Sequence, residues 1–72
     1  MKYKASVVIE KDADGFYAYC PELEGCQTQG ETLEDVLKNI KDAIALYVST
    51  LSAREKRQLL SREILTSSVE VA

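Results

Sequence analysis

The stretch that decides the fold runs from residue 32 to residue 51 and reads TLEDVLKNIKDAIALYVSTL. Its apolar side chains recur at intervals of three and four residues, which places them on one face of an α-helix: Leu33, Val36, Leu37, Ile40, Ile44, Tyr47, Val48 and Leu51. Thr32 stands before them as a helix N-cap, and Glu34 and Asp35 occupy the first turn. The stretch predicts an amphipathic helix about 28 Å long that needs an apolar surface to pack against.

A second helix start follows at Ser52, because Ser52-Ala-Arg-Glu55 has the spacing of a capping box. We expect the chain to bend near Leu51 and to continue as a shorter helix to about Ser61; one continuous helix is the alternative. Residues 52–62 are basic, with four cationic side chains against Glu55. They could contact phosphates, although a solvated helix face is the simpler interpretation.

Upstream of the helix, the sequence alternates as strands do. Residues 2–10 predict a first strand with Tyr3, Ala5, Val7 and Ile9 on one face. The turn at Lys11–Gly15 leads into a second strand over Phe16–Cys20, which ends at Pro21 because proline cannot donate to the ladder. Tyr17 and Tyr19 lie on the face of this strand opposite Ala18. Residues Cys26–Gln29 predict a third strand.

At the C-terminal end, Val69 and Val71 alternate with Ser68 and Glu70, which predicts a final strand within residues 63–72. Residues 1–72 are predicted to form a single α+β domain, with its core in residues 2–51. It has two layers: a three- to four-stranded, mainly antiparallel sheet and one long helix packed on one face. The other sheet face is left uncovered with Tyr17 and Tyr19 on it, and exposed aromatic residues favour a protein contact.

Composition excludes several classes of function. The chain has 72 residues, with 9 Lys plus Arg, 12 Asp plus Glu, no His and a net charge of −3. Without His there is no Ser-His or Cys-His nucleophile pair and no imidazole metal ligand. The acidic balance argues against non-specific nucleic-acid binding. A domain of this length buries only about 60% of its unfolded surface, which favours a homodimer or a higher homo-oligomer.

The two cysteines and the acidic hairpin turn give only weak evidence for a disulfide or a metal site. Cys20 and Cys26 do not have the redox Cys-x-x-Cys spacing and are too few for a zinc site, so we expect buried, reduced side chains; one disulfide is the alternative. Asp12-Ala-Asp-Gly15 resembles the first part of a calcium loop but lacks the spaced Glu, so a turn is the better interpretation.

No catalytic, cofactor or metal residues are predicted. The absence of a signal peptide or a long apolar run predicts a cytoplasmic protein.

Charge is divided unevenly along the chain. Residues 1–51 hold 5 basic and 9 acidic side chains, a net charge of −4. Glu22 and Glu24 lie in the loop after the second strand and could meet a basic partner; ordinary solvated loop charge is the alternative. The candidate residues for a partner or oligomer interface are Tyr17, Tyr19, Glu22, Glu24, Val69 and Val71.

One longer run resembles a known family. Residues 15–44 read GFYAYCPELEGCQTQGETLEDVLKNIKDAI. They are similar to the HicB-type antitoxin domain in having a hairpin, a Pro-acid-Leu-x-Gly-Cys turn, and Gly-acid-Thr opening a helix with Asn-Ile in its middle. The matching residues are Pro21, Gly25, Cys26, Gly30, Thr32, Asn39 and Ile40. The resemblance covers about residues 2–48.

This resemblance implies a partial RNase H-like fold without that enzyme's catalytic acids. It also implies binding to a small basic HicA-type toxin, an mRNA-cleaving ribonuclease, and self-association. A stand-alone oligomeric interaction module without a toxin is the alternative. The chain departs from many relatives in having no visible C-terminal DNA-binding module, which argues against operator binding, and in having Glu24 where a second proline is frequent.

Overall fold

The computed structural model describes residues 4–72, so the predicted position of Tyr3 lies outside the described residues. The elements follow in the order β1 (Val8–Asp12), β2 (Gly15–Tyr19), β3 (Gln27–Gly30), α1 (Leu33–Ser49) and α2 (Ala53–Leu60). The strands form one antiparallel sheet in the order β1-β2-β3, and α1 packs against β2 and β3. The predicted α+β architecture with a long helix on the sheet is confirmed.

The first hairpin is tighter than the sequence suggested. Asp12 pairs with Gly15, so only Ala13 and Asp14 form the turn. The Asp14 N–H donates to Asp12 Oδ1 at 2.8 Å, and Gly15 takes a φ of 138° that few other residues adopt. β1 begins at Val8, because Val8 pairs with Tyr19 and β2 ends there. The described part of the predicted first strand before it, residues 4–7, is therefore outside the ladder.

The predicted second helix is confirmed, and the single continuous helix is not formed. α1 ends at Ser49, with Thr50 as its C-cap. Ser52 then starts α2 with both hydrogen bonds of a capping box: Ser52 Oγ accepts from the Glu55 N–H, and Glu55 Oε1 accepts from the Ser52 N–H, each at 3.1 Å. These bonds satisfy two donors that a new helix start would leave unpaired, so the break is built into the sequence.

The final strand does not form. Residues 62–72 belong to no helix or strand, and the side chains of Leu65, Val69 and Val71 are 82%, 82% and 85% exposed. Alternation predicts a face for each side chain but supplies no neighbouring strand, and an unpaired strand has no ladder to stabilise it. Within residues 4–72 the sheet therefore has three strands.

The core lies between α1 and the β2–β3 side of the sheet. Its buried apolar members are Ala18, Cys20, Leu23, Cys26, Val36 and Ile40. Leu33 and Leu37 belong to the predicted apolar stripe of α1, yet they are 47% and 45% exposed. The stripe is wider than the surface that β2 and β3 offer, so one flank of the helix stays uncovered.

Gly30 sets how closely α1 approaches β3. A Cβ on Gly30 would lie 2.6 Å from the backbone nitrogen of Val36 and 3.0 Å from its Cα. These are backbone atoms of the helix, which cannot move aside without moving the helix. The absence of a side chain at Gly30 is therefore required for Val36 to reach the core.

We predict that Gly30→Ala lowers the free energy of unfolding by about 3 kcal/mol, because the new methyl group forces α1 away from β3. Gly25→Ala is the control, since nothing lies within 4 Å of its Cβ position and only its φ of +81° is unfavourable. We expect a cost there of about 1 kcal/mol. Urea unfolding of both variants measures the difference; an equal cost would contradict a packing role for Gly30.

We predict that Ser52→Ala raises the pKa of the Glu55 carboxyl group. Hydrogen bonds from the Ser52 backbone and side chain hold this pKa below its ordinary value. Because the folded pKa is lowered, the stabilising contribution to α2 is present above the unfolded pKa and is lost as pH falls through the folded pKa. NMR titration of Glu55, with amide exchange in α2, measures both effects. Because the Ser52 backbone N–H is the larger cause and remains in Ser52→Ala, the rise in the pKa is partial; an unchanged Glu55 titration would exclude a contribution of the Ser52 hydroxyl group.

Candidate functional site

The sheet has one face on which no helix packs among residues 4–72. Strand register places alternate residues there, pairing Tyr17 with Glu10 and Gln29, and Tyr19 with Val8 and Gln27. We call this surface the open face, formed by Val8, Glu10, Tyr17, Tyr19, Gln27 and Gln29. It is opposite Ala18, whose side chain is completely buried against α1.

Tyr17 and Tyr19 form an aromatic pair at the centre of the open face. Their ring centroids are 5.9 Å apart and the ring planes are inclined by 39°. The Tyr17 hydroxyl donates to Gln27 Oε1 at 2.5 Å. Both rings are half-buried, and the hydrogen bond holds one of them in a fixed orientation. A pre-ordered aromatic surface of this kind loses little side-chain entropy when a partner binds.

The loop Pro21–Gly25 is held against one end of the open face. Its backbone is closed by hydrogen bonds from the Cys20 N–H to the Cys26 carbonyl, from Leu23 to Cys20 and from Cys26 to Leu23, all at 3.0–3.1 Å. Leu23 is 2% exposed and anchors the loop in the core. Sequence patterning does not reveal this anchor, because its only signal is a single apolar residue between two glutamates.

Glu24 is brought next to the tyrosine pair. It is exposed and lines, together with Tyr17, Tyr19, Pro21 and Gln27, a concavity of about 310 Å³. A carboxylate at the rim of an aromatic surface suits a cationic side chain, which can pair with the charge and stack on a ring. The structure thus groups three of the six candidate residues.

Glu22 has a different position from the one expected for a contact residue. It is only 7% exposed, and Glu22 Oε1 accepts from the Ser6 N–H at 2.7 Å. The register of β1 with β2, if continued, places Ser6 opposite Pro21, beyond the last paired residues of the ladder. The Glu22 carboxylate therefore accepts the hydrogen bond from the Ser6 N–H that a strand partner would otherwise accept. Arg62 Nη1 also donates to the Glu22 carbonyl at 3.2 Å. Glu22 therefore joins the first described segment, the loop and the segment that follows α2.

The remaining candidates, Val69 and Val71, do not line the concavity beside the tyrosine pair. They lie in the C-terminal segment, which belongs to no helix or strand. The candidate residues thus divide into an aromatic and acidic group on the sheet, one buried carboxylate, and two exposed valines elsewhere.

The two thiols are buried, as predicted, and are free. Cys20 is 2% and Cys26 is 6% exposed, and each lies immediately outside a strand. Burial is the main cause that raises the pKa of both thiols. Both stay protonated at neutral pH and act as small apolar side chains.

The acidic side chain of Asp12 stabilises the turn of the first hairpin. Asp12 uses a side-chain oxygen to accept the Asp14 N–H, as an Asx turn does. Across residues 4–72 no three Asp, Glu or Cys side chains are arranged to hold a metal ion. No helix of the described chain is both long and apolar enough to cross a bilayer.

Sequence comparison identifies the class of protein to which this fold and surface belong. Residues 5–70 match the family model described as the HicB_like antitoxin of bacterial toxin–antitoxin systems. The chain belongs to this family.

Individual relatives are similar to this chain over most of its length. A UPF0150 protein of Helicobacter pylori is 42% identical over 67 residues, which is 93% of each chain. A UPF0150 protein of Synechocystis is 44% identical over 55 residues, covering 75% of this chain and 70% of the relative. One from Archaeoglobus fulgidus is 35% identical over 63 residues, 86% of this chain and 91% of the relative. No solved structure matches the chain, so the partial RNase H-like fold stays a prediction.

We predict that Glu22→Ala lowers the free energy of unfolding by about 2 kcal/mol, because the charged acceptor of the Ser6 N–H is lost. Glu24→Ala is the matched control: the same truncation in the same loop at an exposed position changes stability by less than about 0.5 kcal/mol. Chemical denaturation of the two variants distinguishes the roles. Equal stability of Glu22→Ala and Glu24→Ala would contradict the structural role of Glu22.

Proposed function

We propose that the protein is a non-catalytic antitoxin that binds and masks a small basic HicA-type toxin, an mRNA-cleaving ribonuclease, through the open face of its sheet. The observation that carries the proposal is the Tyr17–Tyr19 pair on a helix-free face, with Glu24 beside it, in a member of the HicB-like family. Because mRNA cleavage takes place in the cytoplasm, the proposal places the protein there.

Electrostatics supports a basic partner. Residues 1–51, which include the whole sheet, carry a net charge of −4. Glu10 is exposed on the open face, and Glu24 is exposed at its rim. A ribonuclease that binds RNA needs cationic side chains for the phosphates. The same side chains are attracted to this acidic surface, which speeds association and occupies the RNA-binding groups.

The side chains support masking rather than catalysis. There is no His, and both thiols are buried with raised pKa values. The carboxylate of Asp12 accepts the Asp14 N–H, and that of Glu22 accepts the Ser6 N–H. A protein of this composition can inhibit by covering a partner's site, because shape and charge are sufficient for that function.

A second candidate function is a self-associating interaction module without a toxin partner. The exposed apolar side chains of Leu65, Val69 and Val71 favour it, since isolated chains seldom leave so many large apolar groups of one short segment in water. A gene unrelated to toxins beside the coding sequence would support this candidate. Self-association is also compatible with toxin masking, which would then be performed by a homodimer or a higher homo-oligomer.

Coexpression with any small basic open reading frame found next to the gene tests the proposed function. We expect the neighbour alone to arrest growth and the wild-type chain to restore it. In the purified pair, Tyr17→Asp should weaken binding at least about 30-fold, because it removes an aromatic anchor and adds a charge at the centre of the face. Glu24→Lys should slow association about tenfold.

Matched controls keep the test specific. Ala45→Asp adds one negative charge at an exposed position of α1, and Asp42→Lys reverses one charge on the same helix. Both controls should bind the toxin like wild type. A toxic neighbour that the wild-type chain does not neutralise would refute the toxin proposal. Neutralisation that Tyr17→Asp leaves intact would move the interface away from the open face.

A further inference from the structure

The C-terminal segment carries one apolar face that nothing covers. We call residues 63–72 the tail. If it is extended, one side holds Glu63, Leu65, Ser67, Val69 and Val71, and the other holds Ile64, Thr66, Ser68, Glu70 and Ala72. The apolar members of the first side are 82–85% exposed. The alternation is that of a half-buried strand, although the tail is paired with no strand in the single chain.

A groove with complementary properties lies between α1 and the segment that leads into β1. Ala5 and Val7 form one wall, and Leu37, Ile40 and Ile44 form the other, with Lys41 at the rim; its volume is about 290 Å³. Leu37 is 45% exposed at this position, and Ile9 continues the apolar surface along β1 with 36% exposure. The groove exists because α1 covers β2 and β3 and leaves the β1 side of the core partly open.

The groove runs beside a free strand edge. β1 pairs only with β2, so its other edge has no strand neighbour within residues 4–72. The Ser6 N–H points to the Glu22 carboxylate on the β2 side. Because backbone groups alternate in direction, the N–H and C=O groups of Val7, Ile9 and Lys11 point to the free edge. A strand added there gains ladder bonds, and its apolar side faces the groove.

We propose that the tail of one chain docks along the free edge of β1 in a second copy and covers its apolar groove, and that the second copy does the same in return. The occupant is a copy of this chain because each chain offers both the missing strand and the unfilled site. Such an exchange is self-complementary and closes as a twofold dimer. It also removes the unprotected edge, which would otherwise invite aggregation.

Two further observations favour exchange between copies. The Cα radius of gyration is 13.8 Å, whereas a compact chain of this length has about 11 Å, so the chain is more extended than a compact domain. The exposed side chains of Leu65, Val69 and Val71 show that the tail is not packed onto the body of its own chain. Charge also matches at one position, since Glu63 lies on the same side of an extended tail as Leu65, and the rim of the groove carries Lys41. The proposal deepens the self-association described above and does not depend on toxin binding.

Sedimentation equilibrium of full-length variants tests the exchange. The wild-type chain should form a species of twice its 8.0 kDa mass. The double variant Val69→Asp, Val71→Asp blocks the tail, and Leu37→Asp blocks the groove at an exposed helix position. Each should weaken self-association at least 100-fold. The controls Ser68→Asp and Lys38→Asp place the charge on the neighbouring, outward side of the same segment or helix and should stay within threefold of wild type.

Mixing the two blocked variants gives the decisive result. The tail-blocked chain keeps its groove, and the groove-blocked chain keeps its tail, so together they should form a heterodimer that neither forms alone. In the wild-type dimer, the tail amides should become protected from hydrogen exchange. Circular dichroism establishes that each variant is folded.

Two outcomes would overturn the inference. If the wild-type chain associates and the blocked variants associate equally well, self-association stands and the tail exchange is wrong. If the wild-type chain is a monomer at every concentration, or if its tail amides are protected in a monomer, both the exchange and the proposed self-association are wrong. Neither result changes the outcome of the Tyr17→Asp toxin experiment.

Discussion

The seating of α1 on β3 at Gly30 is the constraint on which the other features depend. There is no room for a side chain between Gly30 and the backbone of Val36. This close contact brings Val36 and Ile40 onto Ala18 and fixes the helix over β2 and β3. The uncovered sheet face and the apolar groove beside β1 are both consequences, because a single helix cannot cover three strands and both sides of a sheet.

Sequence patterning predicts those elements whose neighbours are near in the chain. The helix, its N-cap at Thr32, the second start at Ser52 and the hairpin turn all depend on interactions within a few residues. The final strand depends on a distant edge, which alternation at Val69 and Val71 cannot supply. In the same way, the apolar period of α1 identifies Leu37 as core-facing but cannot show that the sheet is too narrow to cover it.

The candidate site is also predicted only in part, because local patterning is visible in the sequence and contacts between distant segments are not. Alternation places Tyr17 and Tyr19 on one face, and the register confirms that they share it. Glu22 and Glu24 look alike in sequence, yet one is buried and the other is exposed. The difference comes from the end of the ladder at Pro21, where one carboxylate takes the place of a strand partner. The hydrogen bond from Tyr17 to Gln27 is also invisible in sequence, because it joins two strands.

The contacts of Glu22 have a consequence for how the fold opens locally. Its carboxylate accepts from the Ser6 N–H, and its backbone carbonyl accepts from Arg62. Two segments that are far apart in sequence therefore meet at one residue. Detachment of the segment at Ser6 takes a donor away from a buried carboxylate, which is costly. The loop, the segment at Ser6 and the segment after α2 are thus expected to open as one cooperative unit rather than to fray independently.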